Sequence, residues 1–319
     1  MPPFPEPKFA YDYDVHAEVQ ALRDHRDTAP DRQIPSRADN RLVLATWNIA
    51  NLGVQNRLDT DYDLIAELLG WFDLVAVQEV NDNLRGIQAI HQRLPASYRL
   101  VFSDASGNRE RQAFLYDSNR VRQLEEIGRL SIPPSDLEKV APPGVKTPFA
   151  GFDRGPYLAT FEAGDFRFML VNVHLYFGAD DPAHLDRRTL ETFAVAWWAG
   201  RHHRDAHTYV PDIVPLGDFN LPKTQPGDPI YDALRARGLE VPPHTSQIGS
   251  SIANDSQYDQ IAFFPGDTHD HFTGRMNVFD VDNALFRDLF QKRGRNDFLA
   301  YMRFHISDHR PLWAEFRTG

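Results

Sequence analysis

The chain contains no cysteine. That removes disulfides, thiolate nucleophiles and Cys-ligated zinc or iron–sulfur sites together. It has no run approaching the roughly 20 apolar residues that a bilayer span needs. Its first residues, Met1-Pro2-Pro3-Phe4-Pro5-Glu6-Pro7, lack the basic end and apolar stretch of a secretory signal, so the expected location is the cytoplasm. Positive charge is in deficit: 34 basic residues face 45 acidic ones, a formal net charge of −11. Such a balance excludes a protein that coats nucleic acid through bulk charge, while leaving room for local arginine clusters. What is present is ample apolar material, 42% hydrophobic and 12% aromatic over 319 residues. This supplies a sizeable core and is too apolar for a disordered chain. The chemistry must therefore come from Asp, Glu, Asn, His, Arg, Ser and Tyr.

The first forty residues read as an N-terminal extension rich in proline and charge, with one short helix expected over 15–27, where Val15, Val19 and Leu22 fall at helical spacing. It is expected to drape over a single domain spanning 41–319, with a linker as the alternative. From Arg41 the texture changes. Leu42–Trp47 and Asp73–Gln78 read as buried strands that stop at Asn48 and Glu79, with a helix near Tyr62–Leu69 between them. A helix near Leu84–Leu94 precedes strands at Tyr98–Phe102 and Ala113–Tyr116. Pro133 to Gly155, with five prolines and three glycines, reads as a long functional loop. Strands at Tyr157–Glu162 and Phe166–Val173 form a hairpin about Ala163-Gly164-Asp165. Asp181-Pro182 opens a helix that reaches Arg204, an N-cap followed by proline in the first turn. Further strands are expected at Asp212–Leu216, Tyr258–Phe264 and Pro311–Phe316. The pattern predicts an α/β sandwich of two packed sheets flanked by helices.

The informative feature is where polar residues fall. One strand after another ends in, or is closely followed by, Asn48, Glu79, His174, Asp218 with Asn220, Asp259, or Asp308 with His309. A lone Asn after a strand is a turn former. A whole set of metal-ligand and acid–base types at such places points instead to side chains converging outside the sheets. Oxygen donors suit a hard cation such as Mg²⁺ or Mn²⁺. A histidine oriented by a carboxylate is a natural general base. Phosphate esters answer to that combination.

Six motifs occur in order: Thr46-Trp47-Asn48-Ile49, Val77-Gln78-Glu79-Val80, Asn172-Val173-His174-Leu175, Leu216-Gly217-Asp218-Phe219-Asn220, Tyr258-Asp259-Gln260-Ile261 and Ile306-Ser307-Asp308-His309-Arg310-Pro311-Leu312. Together they resemble the endonuclease/exonuclease/phosphatase (DNase I-like) superfamily, from about Arg41 to Arg317. The resemblance implies a four-layer sandwich of two mixed β-sheets flanked by helices, and a Mg²⁺-dependent phosphoesterase, with Mn²⁺ as the other cation it allows. It implies that Asn48, Glu79 and Asp308 hold the metal, and that Asp218 and Asn220 position the attacking water and contact phosphate. His309 is then the general base, Asp259 its orienting carboxylate, and His174 the second histidine at the scissile phosphate. Asn108–Phe114 resembles the strand that supplies a glutamate to that histidine, nominating Glu110. Phe152-Asp153-Arg154-Gly155-Pro156 resembles a phosphate-gripping segment, nominating Arg154.

Nucleic acid is the expected substrate. The alternatives are a phosphorylated small molecule or lipid head group, which net acidity favours, and a non-catalytic binding protein, whose mark would be a missing ligand or base. Arg201–Arg204 and His207 read as the cationic end of the helix that opens at Asp181. Trp197 and Trp198 read as core, Arg187 and Arg188 as a solvated helix face, and Tyr176 as a loose counterpart of a substrate-contacting tyrosine. Arg303, His305 and Arg310 are expected to guide an anion toward His309.

Overall fold

A computed structural model describes residues 3–244 and 246–319; Met1 and Pro2 of the N-terminal extension lie outside it. The elements follow in chain order: α1 (Val15–Thr28), β1 (Arg41–Leu52), α2 (Asp59–Leu69), β2 (Leu74–Asn81), α3 (Arg85–His91), β3 (Tyr98–Phe102), β4 (Glu110–Asp117) and β5 (Arg122–Arg129). After a 3₁₀ turn at Pro134–Lys139 come β6 (Tyr157–Ala163), β7 (Phe166–His174), α4 (Pro182–His203), β8 (Ile213–Asp218), α5 (Pro229–Arg235) and β9 (Asp259–Ile261). The chain closes with α6 (Asp267–His271), β10 (Phe272–Val278), α7 (Val281–Ala284), α8 (Arg287–His305) and β11 (Leu312–Arg317). Among the described residues no helix is long and apolar enough to cross a membrane.

Two mixed sheets result. One runs β10-β11-β1-β2-β4-β3 and the other β5-β6-β7-β8-β9, with β1/β2 and β7/β8 parallel and the other pairs antiparallel. Their facing surfaces interdigitate through Leu42, Leu44, Phe114, Phe161, Phe168, Leu170 and Phe316. The outer face of the first sheet is covered by α1, α2 and α8 through Leu22, Leu64, Leu68, Phe298 and Met302. That of the second is covered by α4 and α5 through Phe193, Trp197, Trp198 and Leu234. This is the four-layer order helix, sheet, sheet, helix. It puts the C-terminal ends of β1, β2, β7 and β8 at the same end of the sandwich as the N-terminal ends of β4, β9 and β11.

Several elements differ from the sequence reading for physical reasons. β1 and β2 do not stop at Asn48 and Glu79. They continue through bulges, marked by register shifts between Asn48 and Leu52 and between Val77 and Val80. Asn51 (φ 50°) and Glu79 (φ 59°) there take the left-handed conformation. A bulge bends the strand and re-aims a side chain, so the polar residues mark bulges as well as ends. β5 is an edge strand whose Arg122, Glu125, Glu126 and Arg129 blunt it against pairing, at the cost of a readable apolar alternation. α8 begins in a polar stretch and kinks at Gly294 (φ 79°), so no single helical stripe runs through it.

The segment before β1 lies on the first helical layer. Leu22 is fully buried, Tyr13 Oη donates to Asp61 at 2.8 Å, and Arg37 Nε donates to the buried Asp73 at 2.7 Å. Its far end is tied at Asp280, which meets His25 Nε2 at 2.6 Å and Arg32 Nε at 3.1 Å. Burial pushes the Asp280 carboxyl up, but His25, Asn283 and Arg32 outweigh it and hold the group below the usual aspartate range. A carboxylate lowered in the folded state stabilises it above its unfolded pKa of about 4, and that stability is lost as pH falls through the folded value. Asp280→Asn should therefore lower Tm near pH 6 relative to the parent, and the gap should close as pH drops below about 4. A gap that is constant across that range refutes the tether.

Candidate active site

The residues nominated from sequence converge at the shared end of the two sheets. Asn48 and Glu79 come from the bulges of the parallel pair β1 and β2, and Glu110 opens β4 beside them. His174 ends β7, Asp218 ends β8, and Asp259 opens β9. Asp308 and His309 lie just before β11. All but the half-buried Asp308 are buried.

Asp218 is the centre of the arrangement. Its Oδ2 accepts from Asn48 Nδ2 at 3.0 Å, and lies 3.7 Å from His174 Nε2 and 3.9 Å from His309 Nε2. Its Oδ1 accepts from the Asn220 amide at 2.8 Å. Each histidine is oriented from behind. His309 Nδ1 meets Asp259 Oδ2 at 2.7 Å, and His174 Nδ1 is tightly bonded to Glu110. Both imidazoles thus direct Nε2 toward one carboxylate. Asn220, itself left-handed at φ 51°, spends its side-chain Nδ2 on the Leu175 carbonyl at 2.9 Å. Phe219 between them is fully buried in the outer core of the second sheet, as alternation along an extended backbone requires.

Electrostatics follow from this packing. Burial pushes His309 down, but Asp259, Asp218 and Asp308 outweigh it and raise it well above an ordinary imidazole. His174 is lowered by burial and Arg154 but raised overall by Glu110 and Asp218. Burial pushes Asp218 up, and the two histidines pull it below the ordinary range. Burial raises Glu79.

Glu79 Oε1 accepts from Asn48 Nδ2 at 3.2 Å and its Oε2 from the Asn51 amide at 2.7 Å. Asn48 Oδ1 is buried and has no hydrogen-bond partner. Such an orphaned oxygen beside a carboxylate fits a hard cation. Among the described residues no three His, Asp or Glu side chains gather closely enough to cage a metal unaided. An amide oxygen and a carboxylate are the hard oxygen donors that a divalent cation takes with water completing its shell. The negative charge of Asp308 reaches both Glu79 and His309.

Arg154 is placed differently from a phosphate fork. It is buried, with Nε donating to the His174 carbonyl at 2.9 Å, Nη2 to the Leu175 carbonyl at 2.6 Å and Nη1 to Asp153 at 3.2 Å. It fastens the end of β7. Arg310, expected to face an anion, is instead buried between Asp282 and Asp255 at 2.7 Å from each. His305 is bonded to Asp61, and Arg303 lies over the Phe4 ring. None of these three presents a free cation to the site.

Two residues went unnoticed in the sequence. Ser307 donates to the Asn48 carbonyl at 2.6 Å and accepts from the amides of Ala50 (3.2 Å) and His309 (3.0 Å). Arg57 donates to the carbonyls of Ala50 (2.6 Å), His305 (3.0 Å) and Ile306 (3.0 Å). Burial draws its pKa down to about 10. Together they lock the β1 bulge to the loop that carries Asp308 and His309. A serine inside the sixth motif was the available signal; a lone Arg in a loop gives none.

No family model matches the chain. A curated deoxyribonuclease of Thioalkalivibrio sp. (strain K90mix) is 28% identical over 204 residues, covering 61% of this chain and 50% of that protein. The chain thus spans about half the length of that relative. An endonuclease/exonuclease/phosphatase family protein from Bacteroides thetaiotaomicron shares the fold with a TM-score of 0.57 at 20% identity, covering 88% of this chain and 96% of its own. D. rerio TDP2 complexed with a single-strand DNA product gives 0.57 at 18%, covering 87% and 99%. A mannosyl-6-phosphatase of B. thetaiotaomicron gives 0.52 at 19%, covering 86% and 99%.

Proposed function

We propose, for a chain that has the fold of the endonuclease/exonuclease/phosphatase superfamily, that it is a phosphoric ester hydrolase, and more specifically a Mg²⁺-dependent phosphodiesterase acting on nucleic acid. The observation that carries the reading is the convergence of two carboxylate-backed histidines on Asp218, beside the unpartnered oxygen of Asn48. Asn48 and Glu79 would hold the cation, with Asp308 close by. When bound, the cation neutralises charge on the phosphoryl oxygens and so eases attack.

The chain's own groups supply the rest. Asp259 fixes the tautomer of His309 with Nδ1 protonated, which leaves Nε2 to accept a proton from water. The carboxylates around His309 make it a stronger base once neutral, at the cost of a smaller neutral fraction near pH 7. Asp218 accepts from the same water and aims it. His174, protonated through Glu110 and Asp218, donates from Nε2 to the phosphoryl or departing oxygen. Arg154 holds the His174 backbone in place.

A hydrolysis panel tests the reading: plasmid, single-stranded DNA and RNA, a generic diester and sugar phosphates, each with Mg²⁺, Mn²⁺ or EDTA. Metal-dependent cleavage of the nucleic acids supports it, and absence of any phosphate-ester turnover refutes it. A compact phosphorylated small molecule is the second reading, favoured by the net charge of −11. Salt separates the two, because affinity for a polyanion falls steeply with salt and affinity for a compact substrate does not.

Metal binding has its own readout. A ligand that binds only the folded state stabilises by about 2.7 kcal/mol at a hundredfold excess over Kd. Saturating Mg²⁺ should raise Tm by a few degrees, and Glu79→Gln should abolish the shift. An identical shift in the variant places the cation elsewhere.

A further inference from the structure

Among the described residues, six large apolar side chains are exposed: Val54, Leu58, Phe102, Ile127, Phe177 and Tyr209. Phe177 is the one joined to the proposed base by ring contacts. It stands three residues beyond His174, on the loop between β7 and α4, and is 46% exposed. Its ring meets Tyr258 edge to face at a centroid distance of 6.4 Å and 73°. Tyr258 in turn lies 5.8 Å from the His309 ring at 38°. Behind Phe177 lies Arg188, whose guanidinium carbon is 6.0 Å from the ring centroid. Arg188 is 5% exposed, pairs with Asp180 at 3.3 Å, and keeps a buried Nε with no partner.

Burial would be the ordinary fate of a phenylalanine, and here a large part of the ring faces solvent on the rim of a polar site. An exposed aromatic face is a stacking surface, and any nucleobase has a π-face to match it. A phosphate attacked beside His309 carries its flanking base within one sugar's length. That base is the part of a substrate placed to meet Tyr258 and Phe177. Base-paired nucleotides hide those faces in the helical stack, whereas an unpaired end or single strand presents them. A sugar phosphate has no π-face and gains nothing from such a ledge.

We infer that the exposed ring of Phe177, held edge to face by Tyr258 and backed by Arg188, is a stacking platform for the unpaired nucleobase next to the scissile phosphate, so that the substrate is a single strand or frayed end. The inference rests on the phosphodiesterase reading above and adds the substrate class.

The test compares a thymidine dinucleotide diester with the same diester bearing base-free sugar spacers. It uses the full chain with Mg²⁺, as parent, Phe177→Ala and Phe177→Trp. Removing a stacked base or its aromatic partner changes affinity on the order of 10- to 100-fold. The parent should prefer the base-bearing diester by that factor in KM. Phe177→Ala should collapse the preference by raising KM with little change in kcat, and Phe177→Trp should restore it. Phe177 is exposed, so its truncation opens no core cavity. Equal use of both diesters by the parent, or an equal loss on both in Phe177→Ala, overturns the platform while leaving the phosphodiesterase intact. Turnover of sugar phosphates with none of either diester overturns the phosphodiesterase reading and the platform together.

Discussion

His309→Ala should lower kcat on the best substrate by on the order of 10²–10⁴, the usual contribution of a positioned acid–base group. The expectation comes from geometry: Nδ1 is fixed on Asp259 and Nε2 lies 3.9 Å from Asp218 Oδ2. Among the described residues, His174 is the other histidine set between a carboxylate and Asp218, and that imidazole is held by Glu110. Truncation also strips a partner from Asp259, whose Oδ1 already has none, so some loss of Tm must accompany the loss of rate. The two are separated with Asp259→Asn. Groups that act as one unit are non-additive, so Asp259→Asn should cost less than His309→Ala, and the double variant should be no slower than His309→Ala alone. Parent-like turnover by His309→Ala removes the mechanism outright.

The site was more legible in the sequence than the frame that holds it. Asn48, Glu79, His174, Asp218, Asp259 and His309 could be nominated because each is a polar residue set into or just after an apolar run, where a buried side chain without a chemical task is costly. Their convergence followed from that placement, but its geometry could not be read, because it depends on β1 and β2 bulging at left-handed Asn51 and Glu79, and bulges leave no regular period. Arg154 and Arg310 illustrate the opposite limit. An arginine near a motif looks the same whether it grips a ligand or backbone carbonyls, and only packing distinguishes them. β5 was hidden by edge-strand charge. α8 was hidden by its kink and by a solvent-facing first half. The platform residue Phe177 was invisible for a related reason, since composition does not say which aromatic stays outside.

Gly217→Ala should be a strongly damaging single-methyl change beside the site. Gly217 has φ 127°, and a Cβ there would lie 2.2 Å from the Val173 carbonyl oxygen, 2.9 Å from the Val173 nitrogen and 3.1 Å from Gln78 Nε2. Val173 is its register partner on the parallel strand β7, so the obstacle is backbone held by a ladder and cannot rotate away. Overpacking and a disfavoured φ each cost about 1–3 kcal/mol. A combined loss on the order of 3 kcal/mol or more should appear as a Tm drop of at least roughly 4–5 °C. Catalysis should fall further than stability, because the strands that must part carry His174 and Asp218 as the next registered pair, and separating them breaks their shared approach. Gly227→Ala is the control: its φ is 93° and nothing lies within 4 Å of the added carbon, so it reports backbone strain without the clash. If both variants lose the same stability and Gly217→Ala keeps full turnover, the close contact of β7 and β8 is not what sets the distance between the histidine and the carboxylate.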